Sequence, residues 1–287
     1  MPEIRYPAYR AYVESRVTVN DAMVALLAGS RLAAHTLSLT AGSTATLGEL
    51  FPAVPHINRF NLRSDAARAL LADADSHIAS VAVPYALATH EDFVMGVLDF
   101  LKNEGWTLAR HGKPVRAWNM HTVLFETLGE SDPADWLESF HVLRLMRNCI
   151  THEGGAANDD LRAAIAAMGH SARAGWENLN QGLSPEAVEF NGRLALTAEH
   201  VFASFAVTKG LGRAINALLA RQLPRPLWAR IVVEDYNAQT GKFKNSSGWR
   251  RALIGYARMN YTGVQISDAE LETASRDLGL WTIPDWN

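Results

Sequence analysis

The sequence predicts an all-α protein with one short β-hairpin. Apolar residues recur every three or four positions over most of the chain, which is the spacing of amphipathic helices. Strand-like alternation is scarce. The best hairpin signal is Asn191-Gly192, a pair suited to the positive φ that a type I′ turn needs at both central positions.

Each element has its own local signal. Tyr9, Tyr12, Val13, Val17, Met23, Val24, Leu27 and Leu32 set out a helix over about 6–37, with a break expected near Thr18 to Asn20. The Ser/Thr/Gly stretch from Ser38 to Gly48 reads as a loop, and Pro52 and Pro55 extend it. Ser64-Asp65 is placed to cap a helix through Ala66 to Ile78. Pro84 is expected to start or kink the next helix, which carries Phe93, Val94, Val97, Leu98 and Leu101. A short helix covers 117–128. Ser131-Asp132-Pro133 then opens another, which ends near His152 ahead of Gly154-Gly155. The hairpin occupies about 187–196. Thr197 heads a long helix to about Gln222, and Pro224 and Pro226 mark a boundary. Beyond it lie three short helices, over 226–238, 247–260 and 267–278. The expected organisation is a helical domain over 1–222 and a basic, aromatic helical module over 223–287.

Bulk properties exclude several classes. With 287 residues and 48% hydrophobic composition the chain has enough apolar mass for a sizeable core. A net charge of -3 excludes a histone-like polycation. No apolar run is long enough to span a bilayer. Glu3, Arg5 and Arg10 fall where a signal peptide needs apolar residues, so a cytoplasmic protein with no membrane partner is expected. A single cysteine, Cys149, excludes an intramolecular disulfide framework. The ten histidines do not cluster, and neither His90-Glu91 nor His152-Glu153 continues into a zinc signature, so no metal or cofactor is expected. Gly210-Leu211-Gly212 lies within a helical pattern and lacks the strand and third glycine of a dinucleotide site.

The segment 136–153 carries the chemistry. At about 100° per residue, Val142, Leu143, Leu145, Met146, Cys149 and Ile150 share one arc. His141, Arg144, Arg147, Asn148, Thr151 and His152 share the other. A solvated helix face is usually built from Lys and Glu. This one has two His, two Arg, an Asn and a Thr, and its only carboxylate, Glu153, comes at the end. Arginine suits multidentate recognition of phosphate. Histidine takes and gives protons near neutral pH. Cations at a helix C-terminus also complement the dipole, and polar helix–helix contacts use similar residues, so composition alone leaves the two readings even.

Arg147-Asn148-Cys149-Ile150-Thr151-His152 resembles the Arg-x(4–6)-His motif of the HEPN superfamily, with the polar residue common directly after its Arg. The preceding apolar-periodic helix and the succeeding glycines are similar too. The resemblance is specific over about 84–155, loose over 1–83 and 156–222, and absent beyond 224. It implies an up-and-down helical bundle that dimerises with its motif helices facing. Many members are metal-independent endoribonucleases of toxin–antitoxin, phage-defence and RNA-processing systems. It implies RNA as substrate and a cognate antitoxin or regulatory protein as a further partner. Carried over, His152 moves protons as the ribose 2′-hydroxyl attacks the phosphate, leaving a 2′,3′-cyclic phosphate. Arg147 stabilises the phosphorane charge, and Asn148 orients. Arg144 and His141, which the motif does not include, lie inside the polar arc and rank lower as extra phosphate or proton contacts, with Thr151 beside them. The alternative is a non-catalytic HEPN-like module that binds RNA, nucleotide or protein.

Arg147 and His152 lie about 140° apart on an ideal helix, so a second copy helps to bring both kinds of group together. Glu91, in His90-Glu91-Asp92, is a candidate to orient Arg147; an acidic pair at a helix start is the more ordinary reading. Residues 221–260 carry eight Arg/Lys against Glu234 and Asp235, a net +6. Lys242, Lys244, Trp249, Arg250, Arg251 and Arg258 are candidates to hold single-stranded RNA by phosphate attraction and base stacking. A Trp-anchored helical cap with a solvated basic face accounts for the same pattern and is favoured.

Overall fold

The computed structural model describes residues 2–241 and 243–286. Within them the regular structure is helical apart from one two-stranded antiparallel hairpin. The helices are α1 (Pro7–Ser38), α2 (Leu47–Leu50), α3 (Ser64–Ala72), α4 (Ala74–Asn103), α5 (Met120–Thr127) and α6 (Ala134–His152). They continue with α7 (Asp159–Ala167), α8 (His170–Leu179), α9 (Ala198–Gln222), α10 (Arg225–Gln239), α11 (Ser247–Asn260) and α12 (Asp268–Asp277). Strands β1 (Glu189–Phe190) and β2 (Arg193–Leu194) pair Glu189 with Leu194 and Phe190 with Arg193. Asn191 and Gly192 both have positive φ, as the turn chemistry requires.

The chain divides into two compact units. The first comprises Met1–Ser15, Thr89–Pro133 and Lys209–Asn287; the second comprises Arg16–Ala88 and Ala134–Thr208. Helices α10, α11 and α12 therefore belong with the N-terminal residues, α5 and the end of α9.

Two long-range ties build the first unit. Asn216 accepts from the Ile4 backbone N–H at 2.9 Å and donates to the Ile4 carbonyl at 2.7 Å. Asp235, 5% exposed, receives a two-pronged ion pair from Arg10 at 2.7 and 2.9 Å. Tyr256, Tyr261 and Gln239 also donate to the Asp235 carboxylate, at 2.7, 2.6 and 2.7 Å. Burial raises the Asp235 pKa, but the bonds from Arg10, Tyr261 and Tyr256 outweigh it and hold the carboxyl below its ordinary value. Tyr12 stacks on Phe93 with ring centres 4.3 Å apart. Gly212 makes room for that ring: a Cβ there would lie 2.6 Å from Tyr12 Cε1. Packing accounts for the glycine.

In the second unit Val19, Ala79, Ala82, Ala86, Val201 and Phe205 form a buried cluster. Helix α6 packs on α7 and α8. Several local expectations need correction. Helix α1 runs unbroken through Thr18 to Asn20. Helix α4 does not start at Pro84, the first of the two alternatives, but carries it in its interior, where Ala82, Val83, Ala86 and Leu87 are buried around it. Ser64 does not cap α3; its hydroxyl donates to the Ser43 carbonyl at 3.0 Å. Helices α7 and α8 occupy a stretch with no predicted element.

Candidate functional site

Helix α6 sorts its residues as its pattern demands. Val142, Leu143, Leu145, Met146 and Cys149 are buried. Burial also raises the Cys149 pKa, so the thiol stays protonated and unreactive. On the opposite arc His141, Arg144, Arg147 and Asn148 are half-buried, while Thr151 and His152 are exposed. The Thr151 hydroxyl is turned back onto the helix, donating to the Arg147 carbonyl at 2.9 Å. That bond occupies its proton and leaves Thr151 a helix-terminating part.

His152 is the last residue of α6, and the chain leaves it through a built exit. Gly154 and Gly155 have φ of 60° and 84°, which favours residues without a Cβ. Arg193 at the start of β2 donates to the Gly154 carbonyl at 2.7 Å. The Leu194 N–H reaches the Gly155 carbonyl at 2.9 Å, and the Ala157 N–H reaches the Gly192 carbonyl at 3.0 Å. The hairpin is therefore laced to the turn behind His152. Asn158 caps α7 by accepting from the Leu161 N–H at 3.0 Å, and its amide donates to Glu153 at 2.8 Å. Arg162 locks the same corner by binding both Glu189 oxygens at 2.9 Å. A backbone fixed in this way holds His152 at an exposed helix end.

The other candidate residues lie outside α6. Glu91 is on α4 within the first unit, and Arg147 is within the second. Trp249 has no exposed surface: its ring packs on Trp281 at 6.2 Å and Tyr236 at 5.5 Å. Tyr256 and Tyr261 bond Asp235, so these aromatics hold the C-terminal helices together. Lys244, Arg251 and Arg258 are exposed, Arg250 is half-buried, and Arg258 lies 3.6 Å from Asp268. Lys242 lies outside the described residues. The neighbouring Phe243 is 88% exposed, an open aromatic beside Lys244 that no sequence pattern marks out.

Sequence reasoning also missed a buried polar chain in the first unit. Tyr12 Oη lies 3.0 Å from His90 Nδ1, and His90 Nε2 lies 2.9 Å from His121 Nε2. Burial pushes the His90 pKa down to about 3, so the ring is neutral and one imidazole donates to the other. Among the described residues no group of three or more His, Cys, Asp or Glu is arranged to hold a metal ion. No described helix is long and apolar enough to cross a membrane. Compared with known proteins, the chain matches no family model, no curated protein and no solved structure.

Proposed function

We propose that this chain is a metal-independent endoribonuclease of the HEPN type, acting at a site completed by a second copy, with a toxin or phage-defence role. The observation that carries the reading is the polar arc of α6: four half-buried His, Arg and Asn side chains leading to an exposed histidine at a fixed helix end. In this reading His152 takes the proton of the ribose 2′-hydroxyl and returns one to the leaving 5′-oxygen. Arg147 stabilises the charge that grows on the phosphate. Asn148 orients the phosphate, and Arg144 and His141 extend the contact.

The reading is tested by incubating the purified chain with a mixed RNA pool in excess EDTA. Cleavage with 2′,3′-cyclic phosphate ends is expected, and it is lost in His152→Ala and Arg147→Ala variants of unchanged helical content. RNA retention without cleavage would favour a non-catalytic HEPN-like binding module. Cleavage unchanged in both variants would remove these residues from the mechanism.

A further inference from the structure

Two residues of the hairpin make a further surface beside the end of α6, and all of its parts lie within the second unit. Phe190 is 71% exposed at the end of β1, next to the Asn191-Gly192 turn. It pairs directly with Arg193, and Arg193 pairs on its other side with Ala156. Directly opposed residues of an antiparallel ladder send their side chains to the same face. Phe190, Arg193 and Ala156 therefore share one face, and two ladder spacings, about 10 Å, carry Phe190 to Ala156. Ala156 follows His152 after one acid and two glycines.

Charge is sorted between the two faces of the hairpin. Successive residues of a strand point opposite ways, so Glu189 belongs to the other face, where Arg162 binds both of its oxygens at 2.9 Å. Glu153, directly after His152, accepts from the Asn158 amide at 2.8 Å. Arg193 is exposed. It gives an N–H to the Gly154 carbonyl at 2.7 Å and pairs with no carboxylate among the described residues. A guanidinium has several N–H donors, so this one keeps donors for a further acceptor. A lone exposed aromatic needs no explanation. Here an exposed ring and an unneutralised guanidinium stand side by side on a fixed ladder next to a histidine. That combination holds one nucleotide of a single strand, by stacking on the base and by charge on the phosphate. We propose that Phe190 and Arg193 form a subsite for one unpaired nucleotide of the RNA, with its base on the Phe190 ring and its phosphate on the Arg193 guanidinium. The proposal rests on the ribonuclease reading and adds a substrate class to it: RNA that is single-stranded beside the cut. A base inside a duplex is stacked on both faces and cannot lie on the ring.

The test uses the full chain and a labelled single-stranded RNA with one cleavage site, in excess EDTA. KM is measured by cleavage, and Kd by fluorescence anisotropy. Phe190 is exposed, so its variants are expected to keep the wild-type circular dichroism. Phe190→Ala is expected to raise KM and Kd by about 5- to 100-fold. Phe190→Trp is expected to stay near wild type. Phe190→Leu, apolar but without a π face, is expected to match Phe190→Ala. Replacing one base at a time by an abasic residue locates the partner: at one position near the cut the wild type loses the same factor, and Phe190→Ala loses nothing further. Annealing a complementary strand over the site is expected to abolish cleavage. Wild-type KM and Kd in Phe190→Ala, Phe190→Leu as good as Phe190→Trp, abasic losses that multiply with Phe190→Ala at every position, or cleavage of the annealed duplex would overturn the subsite and leave the ribonuclease reading standing. A wild-type chain that neither binds nor cuts the RNA would remove both.

Discussion

His90 is uncharged in the folded protein near neutral pH. Its ring is fully buried, and burial lowers its pKa from the usual 6.5 to about 3. The unfolded chain binds that proton near 6.5, so the folded state is penalised wherever only the unfolded state is protonated. The contribution to stability is complete above about pH 6.5 and is lost as pH falls toward 3. At about 1.4 kcal/mol per pKa unit the loss amounts to several kcal/mol. His200, pushed down to about 4 by burial, acts in the same direction. Denaturant unfolding measured from pH 7 to 4 is expected to show falling stability, with a shallower slope in His90→Gln. An equal slope in that variant would assign the acid sensitivity elsewhere.

Among the elements, α6 was the most legible. Its two arcs could be drawn from the sequence because burial tracks the apolar spacing, and its ends were set by Pro133 and by Gly154-Gly155. The exit behind His152 was not legible. The hairpin itself was, but its docking on residues 154–157 joins segments nearly forty positions apart, and local pattern carries no such information. Asn158 is the joint of this corner. Asn158→Ala removes the cap of α7 and the contact to Glu153, and is expected to cost about 1 kcal/mol. That corresponds to a fall in Tm of about 2–4 °C. An unchanged Tm would mean that the hairpin alone fixes the exit. Helices α7 and α8 escaped notice because they are short, at nine and ten residues, and stripes of that length are hard to separate from loop. Trp249 was legible in kind: Trp among arginines suits a stacking platform or a core anchor, the sequence favours the anchor, and the ring is buried against Trp281 and Tyr236, partners that the local pattern does not name.

For the whole molecule, the first unit gathers three distant stretches of chain, and Asp235 ties the first of them to the last. It joins the start of α1 to α10, α11 and the residue after α11 through Arg10, Tyr256 and Tyr261. Asp235→Ala leaves a half-buried guanidinium and two phenols without their shared acceptor. The expected cost is about 3–5 kcal/mol, read as a lower denaturation midpoint. Asp235→Asn keeps the shape and is expected to recover part of the loss. If both variants match the wild type, the N-terminal segment is held by its aromatic packing alone.

The central claim is that His152 moves the proton in RNA cleavage. Its most direct test is the single-turnover rate on one end-labelled RNA in excess EDTA, comparing the wild-type chain with His152→Ala. General acid–base catalysis predicts that the variant is slower by about 10²–10⁴-fold with RNA affinity little changed. A variant that cleaves at the wild-type rate contradicts the account.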